Sequence, residues 1–369
     1  MVSDYGAAYR GSFVPMIVAL AERCAARGWA VECAFTPVSR DRVWLTDFAD
    51  AGIPVGFAPR TGRVELTRWL AGRLRTLSGP KIIHTHFASF DLAAVAAALG
   101  DRDARVIWHL HSALPGGPIG VAKSALKYGI VGRRVAKVIS VSEAGRELAI
   151  RRGLPASRIV AIENGIDAGR FPVATPERRR EAREALGVPA GQPVVLHLAW
   201  DWEIKGGPLF LASLTRLLEL GVPALALIVS ADPRALAAVE RAGLSEHVRL
   251  VAPVEDVRRF YDGADVLAST SPSEGGPPLA VVESLACGTA VLGTDIPSHR
   301  MAAGDPPARR LVAPEPAAIA EGIASVLARD SATAAAEAAA SHDWVRRYWS
   351  LDAWTERVAG VYSEVLAAP

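Results

Sequence analysis

Short apolar runs alternate along this chain with longer stretches whose apolar residues recur on one helical face. Phe13, Ile17, Leu20 and Cys24 share such a face, and Gly28 is a suitable stop. The pattern then predicts strands over 30–36, 81–85, 105–110, 137–141 and 158–162. Helices are predicted between them over 63–77, 91–99, 121–135 and 143–152. Asn164-Gly165-Ile166-Asp167 closes this series with a turn signal, and an arginine-rich, proline-containing stretch follows over 172–183. A second series has strands over 193–198, 224–230, 247–251, 264–270 and 290–294. The alanine-rich 331–341 and the aromatic-rich 344–366 read as helix.

Strands alternating with helices make parallel sheets covered on both faces, with ligands at the carboxyl ends of the strands. The expected architecture is α/β, with two Rossmann-like, doubly wound parallel-sheet domains facing across a cleft. They are placed at 1–168 and 169–345, with a terminal helix over 346–369 packing back on the first. Only Met1–Asp4 precede the first glycine-containing turn, so the opening strand is very short or begins upstream.

A length of 369 residues suits two domains with separate cores. A net charge of +2 gives no case for nucleic acid. Cys24, Cys33 and Cys287 have no metal spacing and read as small buried thiols of a reducing compartment. With neither a membrane-spanning run nor a signal peptide, the expected location is cytoplasmic.

The chemistry concentrates at 271–288, Ser-Pro-Ser-Glu-Gly-Gly-Pro-Pro-Leu-Ala-Val-Val-Glu-Ser-Leu-Ala-Cys-Gly, where a strand turns into a helix. Backbone amides and the helix dipole there favour an anion. Pro277 and Pro278 lack donors, which leaves the amides of Gly275, Gly276, Leu279 and Ala280. Glu274 and Glu283 bracket the turn and suit hydroxyl groups better than phosphate. Phosphate with hydroxyls suggests a nucleotide or a sugar; an ordinary strand-to-helix loop is the alternative. Lys205-Gly206-Gly207 follows the first strand of the second series and supplies a point charge for phosphate, unless Lys205 is only a surface residue.

His84-Thr-His86 and His109-Leu-His111 end two strands, each pair on one sheet face. A zinc site is conceivable, but no Cys or Glu at zinc spacing supports it; backbone hydrogen bonding is the commoner role of strand-end histidines, and a ligand-facing role for His111 is better supported. Asp101-Arg-Asp103 reads as a solvated turn away from the cleft. Lys123, Lys127, Arg133, Arg134 and Lys137 are interleaved with apolar residues over 121–137, which fits a solvated face or weak contact with an anionic membrane. Neither a Gly-x-Gly-x-x-Gly nor a P-loop lysine motif is present.

Read in order, these pieces resemble the retaining GT-B glycosyltransferases of family four. Gly11-Ser12 resembles the family's amino-terminal glycine loop, and Trp108-His-Leu-His111 its strand-end histidine motif. Val138-Ile-Ser-Val-Ser142, Ile162-Glu-Asn-Gly-Ile-Asp167, Lys205-Gly206 and Tyr261-Asp-Gly-Ala-Asp-Val266 match further elements, and Glu274 to Glu283 resembles its paired-glutamate signature. The resemblance implies a metal-independent transferase moving a hexose from a nucleotide-diphosphate sugar to a small-molecule or glycoconjugate acceptor. Glu283 would hold the ribose; Lys205 and the Gly275, Gly276 and Leu279 amides the diphosphate; Glu274 the sugar. His111 would approach the sugar, and Gly11 and Ser12 would close on the phosphates. His111, Glu274 and Lys205 are the implied catalytic residues, with no metal and no other cofactor. The chain departs from the family in two places. Eight residues, where the family has seven, separate the two glutamates, and Trp200 stands where an arginine is usual; either donor binding is weaker or another cation replaces it, Arg300 being a candidate. A nucleotide- or sugar-binding GT-B protein with little transfer activity, and a GT-B phosphorylase or epimerase, are the other readings.

Overall fold

The computed structural model describes residues 1–59 and 62–368. They form two units, Met1–Gly165 with Leu351–Pro369, and Ile166–Ser350.

The first unit holds seven strands: β1 (Val2–Ser3), β2 (Cys33–Phe35), β3 (Val55–Phe57), β4 (Lys81–His86), β5 (Ala104–Leu110), β6 (Lys137–Ser140) and β7 (Ile159–Ala161). All pair in parallel, in the order β3-β2-β1-β4-β5-β6-β7. β5 is buried along nearly its whole length, as a strand covered on both faces must be. In β1, Val2 and Ser3 pair with Ala34 and Phe35 on one side and Thr85 and His86 on the other. Neither β3 nor the short helix Leu45–Asp50 is anticipated by the pattern, because both are short and Gly56 interrupts the strand.

Two expected helices differ in extent. The one read over 121–135 begins at Gly117, where Pro118 is pre-set for a first turn, and ends at Gly129. A 3-10 turn, Val131–Arg134, follows, and Lys137 belongs to β6. The run read over 344–366 is split: helix Ser331–Tyr348 ends at Trp349, whose carbonyl accepts from Ile166 N at 2.8 Å. Helix Leu351–Ala367 then packs against helix Phe13–Ala25 in the first unit. Trp354, Val358, Val361, Tyr362 and Val365 are buried there, and an Arg23–Asp352 ion pair of 3.3 Å lies at its edge.

The second unit is a six-stranded parallel sheet: β8 (Val194–Leu198), β9 (Leu225–Val229), β10 (Val248–Val251), β11 (Val266–Ser269), β12 (Ala290–Thr294) and β13 (Arg309–Val312). Its order is β10-β9-β8-β11-β12-β13. β13 escapes the apolar pattern because it opens on two arginines. The arginine-rich 172–183 contains most of helix Pro176–Ala185. Arg178 grips Asp262 with bonds of 2.7 and 2.8 Å, and Arg183 reaches Asp265 at 2.7 Å. The Asp-Gly-Ala-Asp segment of the sequence motif therefore anchors that helix. The three cysteines are free and buried. Among the described residues no helix is long and apolar enough to cross a membrane.

In each sheet the strand order reverses direction at one point, between β1 and β4 and between β8 and β11. In open parallel sheets such a point is where a ligand crevice is expected, at the carboxyl ends of the strands where the loops diverge.

Candidate active site

In the second unit the loops after β8 and β11 flank that crevice. Asp201 folds the first of them, its Oδ1 accepting the amides of Glu203 (3.0 Å) and Ile204 (2.9 Å). The backbone then turns at Gly206 with φ +71°, and a Cβ there would lie 2.0 Å from the carbonyl oxygen of Thr270. Only glycine lets this loop lie against the end of β11. The Thr270 hydroxyl donates to the carbonyls of Lys205 (3.2 Å) and Gly206 (3.0 Å), fastening the two loops together.

The fastened loops bring Lys205 against Glu274. Nζ lies 2.5 Å from Oε1, and both side chains are largely buried. Ser271 Oγ donates to the same oxygen at 2.6 Å, and Ser298 Oγ accepts the Glu274 amide at 3.2 Å. Trp200, the departure from the family pattern, is 58% exposed with its ring centroid 5.7 Å from Lys205 Nζ. Arg300 is committed elsewhere, paired with Asp295 at 3.2 Å.

Past Gly275 and Gly276, Leu279 opens the helix Leu279–Ala286. The amides of Leu279 and Ala280 belong to the first turn, whose donors a helix cannot pair internally. Glu283, on the same helix, is only 6% exposed and accepts the hydroxyl of Tyr261 at 2.7 Å. Burial and the adjacent Glu283 carboxylate push the Tyr261 phenol well above its ordinary range, so it stays a donor. Ser271, Ser298 and the Tyr261 hydroxyl are partners that sequence reasoning did not assign. Tyr261 lies in a quoted motif, whereas Ser298 is signalled only by its place beyond the end of β12.

Gly11 and Ser12 lie in the first unit, in the loop after β1. Tyr5 Oη braces that loop through the carbonyls of Tyr9 and Arg10, both at 3.1 Å. Gly11 has φ +56°, and a Cβ on it would come within 3.0 Å of the phenol oxygen. Phe87, after β4, holds a left-handed φ of +64°, an uncommon and strained conformation for a non-glycine residue.

His111, just beyond β5, packs edge-on against Phe13 and 4.8 Å from Phe87. Its Nε2 is 3.0 Å from His86 Nδ1. Burial depresses its pKa to about 3, so it is a neutral hydrogen-bonding group at ordinary pH. Behind it, His84, His86 and His109 are fully buried and likewise held neutral by desolvation.

Asp101 forms the expected turn, pairing with Lys81 at 2.9 Å and capping the Asp103 amide. The basic stretch needs correcting. Lys127 is not a surface cation: it pairs with the buried Asp91 at 2.5 Å and lies 4.9 Å from the Trp108 ring centroid. Lys137 pairs with Glu364 at 2.6 Å. Lys123, Arg133 and Arg134 remain exposed, beside Ile119, Leu126 and Ile130.

Two family models match the chain: Glycosyltransferase Family 4 over residues 15–170, and Glycosyl transferases group 1 over residues 192–329. D-inositol 3-phosphate glycosyltransferases of Mycobacterium tuberculosis and Mycobacterium bovis are 26% identical over 244 residues, which is 62% of this chain. That alignment spans 46% of those relatives' length. Among solved structures, Anabaena HepE in complex with UDP-glucose superposes with a TM-score of 0.83 at 18% identity, over 98% of this chain and 99% of that one. A glycosyltransferase of Rickettsia africae gives 0.82 at 16% identity, over 100% and 98%. Sucrose-phosphate synthase of Thermosynechococcus elongatus gives 0.74 at 20% identity, over 95% and 92%.

Proposed function

Because family models match both halves, the chain belongs to the glycosyltransferases of family 4 with their GT-B fold, and we propose that it moves a hexose from a nucleotide-diphosphate sugar to an acceptor hydroxyl with retention of configuration. The observation that carries this reading is the Lys205–Glu274 pair at the crevice of the second sheet. It sets a cation for phosphate beside an acceptor for sugar hydroxyls, on a loop whose backbone admits only glycine next to the lysine.

When the glycosidic bond breaks, the departing nucleoside diphosphate gains negative charge. Lys205, with the amides of Gly275, Gly276 and Leu279, is proposed to stabilise that charge in place, in the role a metal ion fills in other transferases. Glu274 would exchange its bond with Lys205 for a sugar hydroxyl as the phosphates take the lysine. Glu283, its carboxylate oriented by Tyr261, would accept from the ribose. In the first unit, neutral His111 is assigned to a sugar hydroxyl and the Gly11–Ser12 loop to an anionic group.

The UDP-glucose held by the Anabaena neighbour makes a UDP-hexose the first donor to try. The name of the mycobacterial relatives makes D-inositol 3-phosphate the first acceptor. The chain spans about half the length of those relatives, so both choices start a panel. The test is nucleotide release from a set of nucleotide sugars, with and without a magnesium chelator. Release from none of them across diverse acceptors removes the transferase reading, and release that requires added magnesium removes the metal-free mechanism. We also propose weak contact of helix Gly117–Gly129 with anionic membrane, carried by Ile119, Leu126 and Ile130 beside Lys123, Arg133 and Arg134.

A further inference from the structure

We propose that His84, His86 and His109 form a binding site for one divalent metal ion of the zinc class inside the first unit. β4 and β5 are neighbours in register, with His86 opposite His109, so period-two spacing puts all three rings on one face of the sheet. Helix Leu351–Ala367 covers that face, with Tyr362 edge-on to His84 and Trp354 stacked 6.2 Å from His109. The three side chains offer ligand nitrogens within 4.8 Å of one another, none more than 1% exposed. Small ring rotations bring such atoms to the spacing of roughly 3.4 Å that bonds of about 2.0–2.1 Å impose in a tetrahedron.

The hydrogen bonds leave the required lone pairs free. His84 Nδ1 is bonded to the Tyr362 hydroxyl, and His86 Nδ1 lies 3.0 Å from His111 Nε2. In the tautomers in which both Nδ1 atoms donate, Nε2 of His84 and of His86 carries a lone pair and no proton. Those two atoms and both nitrogens of His109 have no partner among the described residues. Buried polar atoms are ordinarily paired, so this concentration of unpaired nitrogens needs an occupant. Tyr362 and His111 then act as the outer partners that fix ring tautomer and orientation at metal-binding histidines. Three imidazoles suit zinc, copper or nickel rather than magnesium or calcium, and leave a fourth position for water or hydroxide. The site lies wholly within the first unit and does not rest on the transfer reading.

The test uses the full chain without a histidine tag, stripped with a chelator and then titrated with zinc and, separately, cobalt(II). One equivalent retained through gel filtration, a raised melting temperature and the visible absorption of four-coordinate cobalt are expected. His86→Gln and His109→Gln should each lose retention and the thermal shift, while His247→Ala keeps both. X-ray absorption of the zinc-loaded wild type, which needs no variant to fold, should show three imidazole ligands. No retained zinc, retention unchanged in His109→Gln, or a shell with fewer than three imidazoles overturns the proposal.

Discussion

Lys205 Nζ lies 2.5 Å from Glu274 Oε1, so an ion pair joins the loops that follow β8 and β11 across the turning point of the second sheet. A group that neutralises a lysine also competes with any phosphate for it. Lys205→Ala should lower turnover by about 10²- to 10³-fold, the usual loss when one preplaced donor to a developing anion is removed. Lys205→Arg should recover little, because a planar fork does not replace a point charge in a closed pocket. Glu274→Gln separates the two roles: free nucleoside diphosphate should bind several-fold tighter while sugar transfer falls. Calorimetric titration with UDP, set beside steady-state rates, reads both, and weaker UDP binding in Glu274→Gln contradicts the competition.

Glu283 and Tyr261 are expected to act as a unit. Tyr261→Phe keeps the ring but removes a donor from a buried carboxylate, which should destabilise the second unit by about 1–3 kcal/mol. It should also weaken nucleotide binding. Glu283→Ala should weaken nucleotide binding more than Tyr261→Phe does. A Glu283→Ala protein that binds donor as tightly as wild type removes the ribose assignment.

Acid should destabilise the protein through the first unit. His84, His86, His109 and His111 are held neutral when folded, with folded pKa values below the usual 6.5, His111 at about 3. Below pH 6.5 the unfolded chain therefore binds more protons, and stability present above that pH is lost as pH falls. Each group contributes a slope of up to about 1.4 kcal/mol per pH unit. Asp91 opposes this, because burial raises its pKa from 3.8 to about 6, so its contribution is lost as pH rises through that window. One carboxyl set against four imidazoles leaves the acid loss dominant. Melting temperatures from pH 7.5 to 4.5, in chelator, should fall steeply for wild type and less steeply for His111→Asn. A melting temperature that rises on acidification reverses the assignment.

Membrane contact is testable apart from catalysis. Ile119, Leu126 and Ile130 are 71%, 61% and 63% exposed on the segment that carries Lys123. Replacing Lys123, Arg133 and Arg134 with Gln should weaken sedimentation with phosphatidylserine vesicles roughly a hundredfold, at about 1 kcal/mol per cation. Neutral vesicles should bind little. Equal binding to both kinds of vesicle counts against the electrostatic part, and binding to neither against the contact itself.

Much of the fold was legible because buried parallel strands must be continuous apolar runs, and 193–198 or 105–110 can hardly be read otherwise. β13 was not, because its buried Arg309 carries a charge that pattern-reading assigns to the surface. The loop glycines and acids of the site could be seen individually. Their contacts could not: Lys205 meets Glu274, 69 residues away, only because β11 inserts beside β8. The two histidine pairs were likewise visible, but their merging into one buried group depends on the register between β4 and β5. Lys127 was misread because its helical spacing matches that of surface cations, while its partner Asp91 lies on a different helix, buried.

The helix that seals the histidines comes from the far end of the chain, and this sets an order for biosynthesis. Residues 1–165 are made before Trp354 and Tyr362 exist, so the first unit waits with its buried histidines uncovered. The continuous second unit, Ile166–Ser350, has everything it needs as soon as it emerges. Domains made first generally fold first. Here the amino-terminal domain cannot be completed until Leu351–Ala367, made after the whole of the second unit, is available.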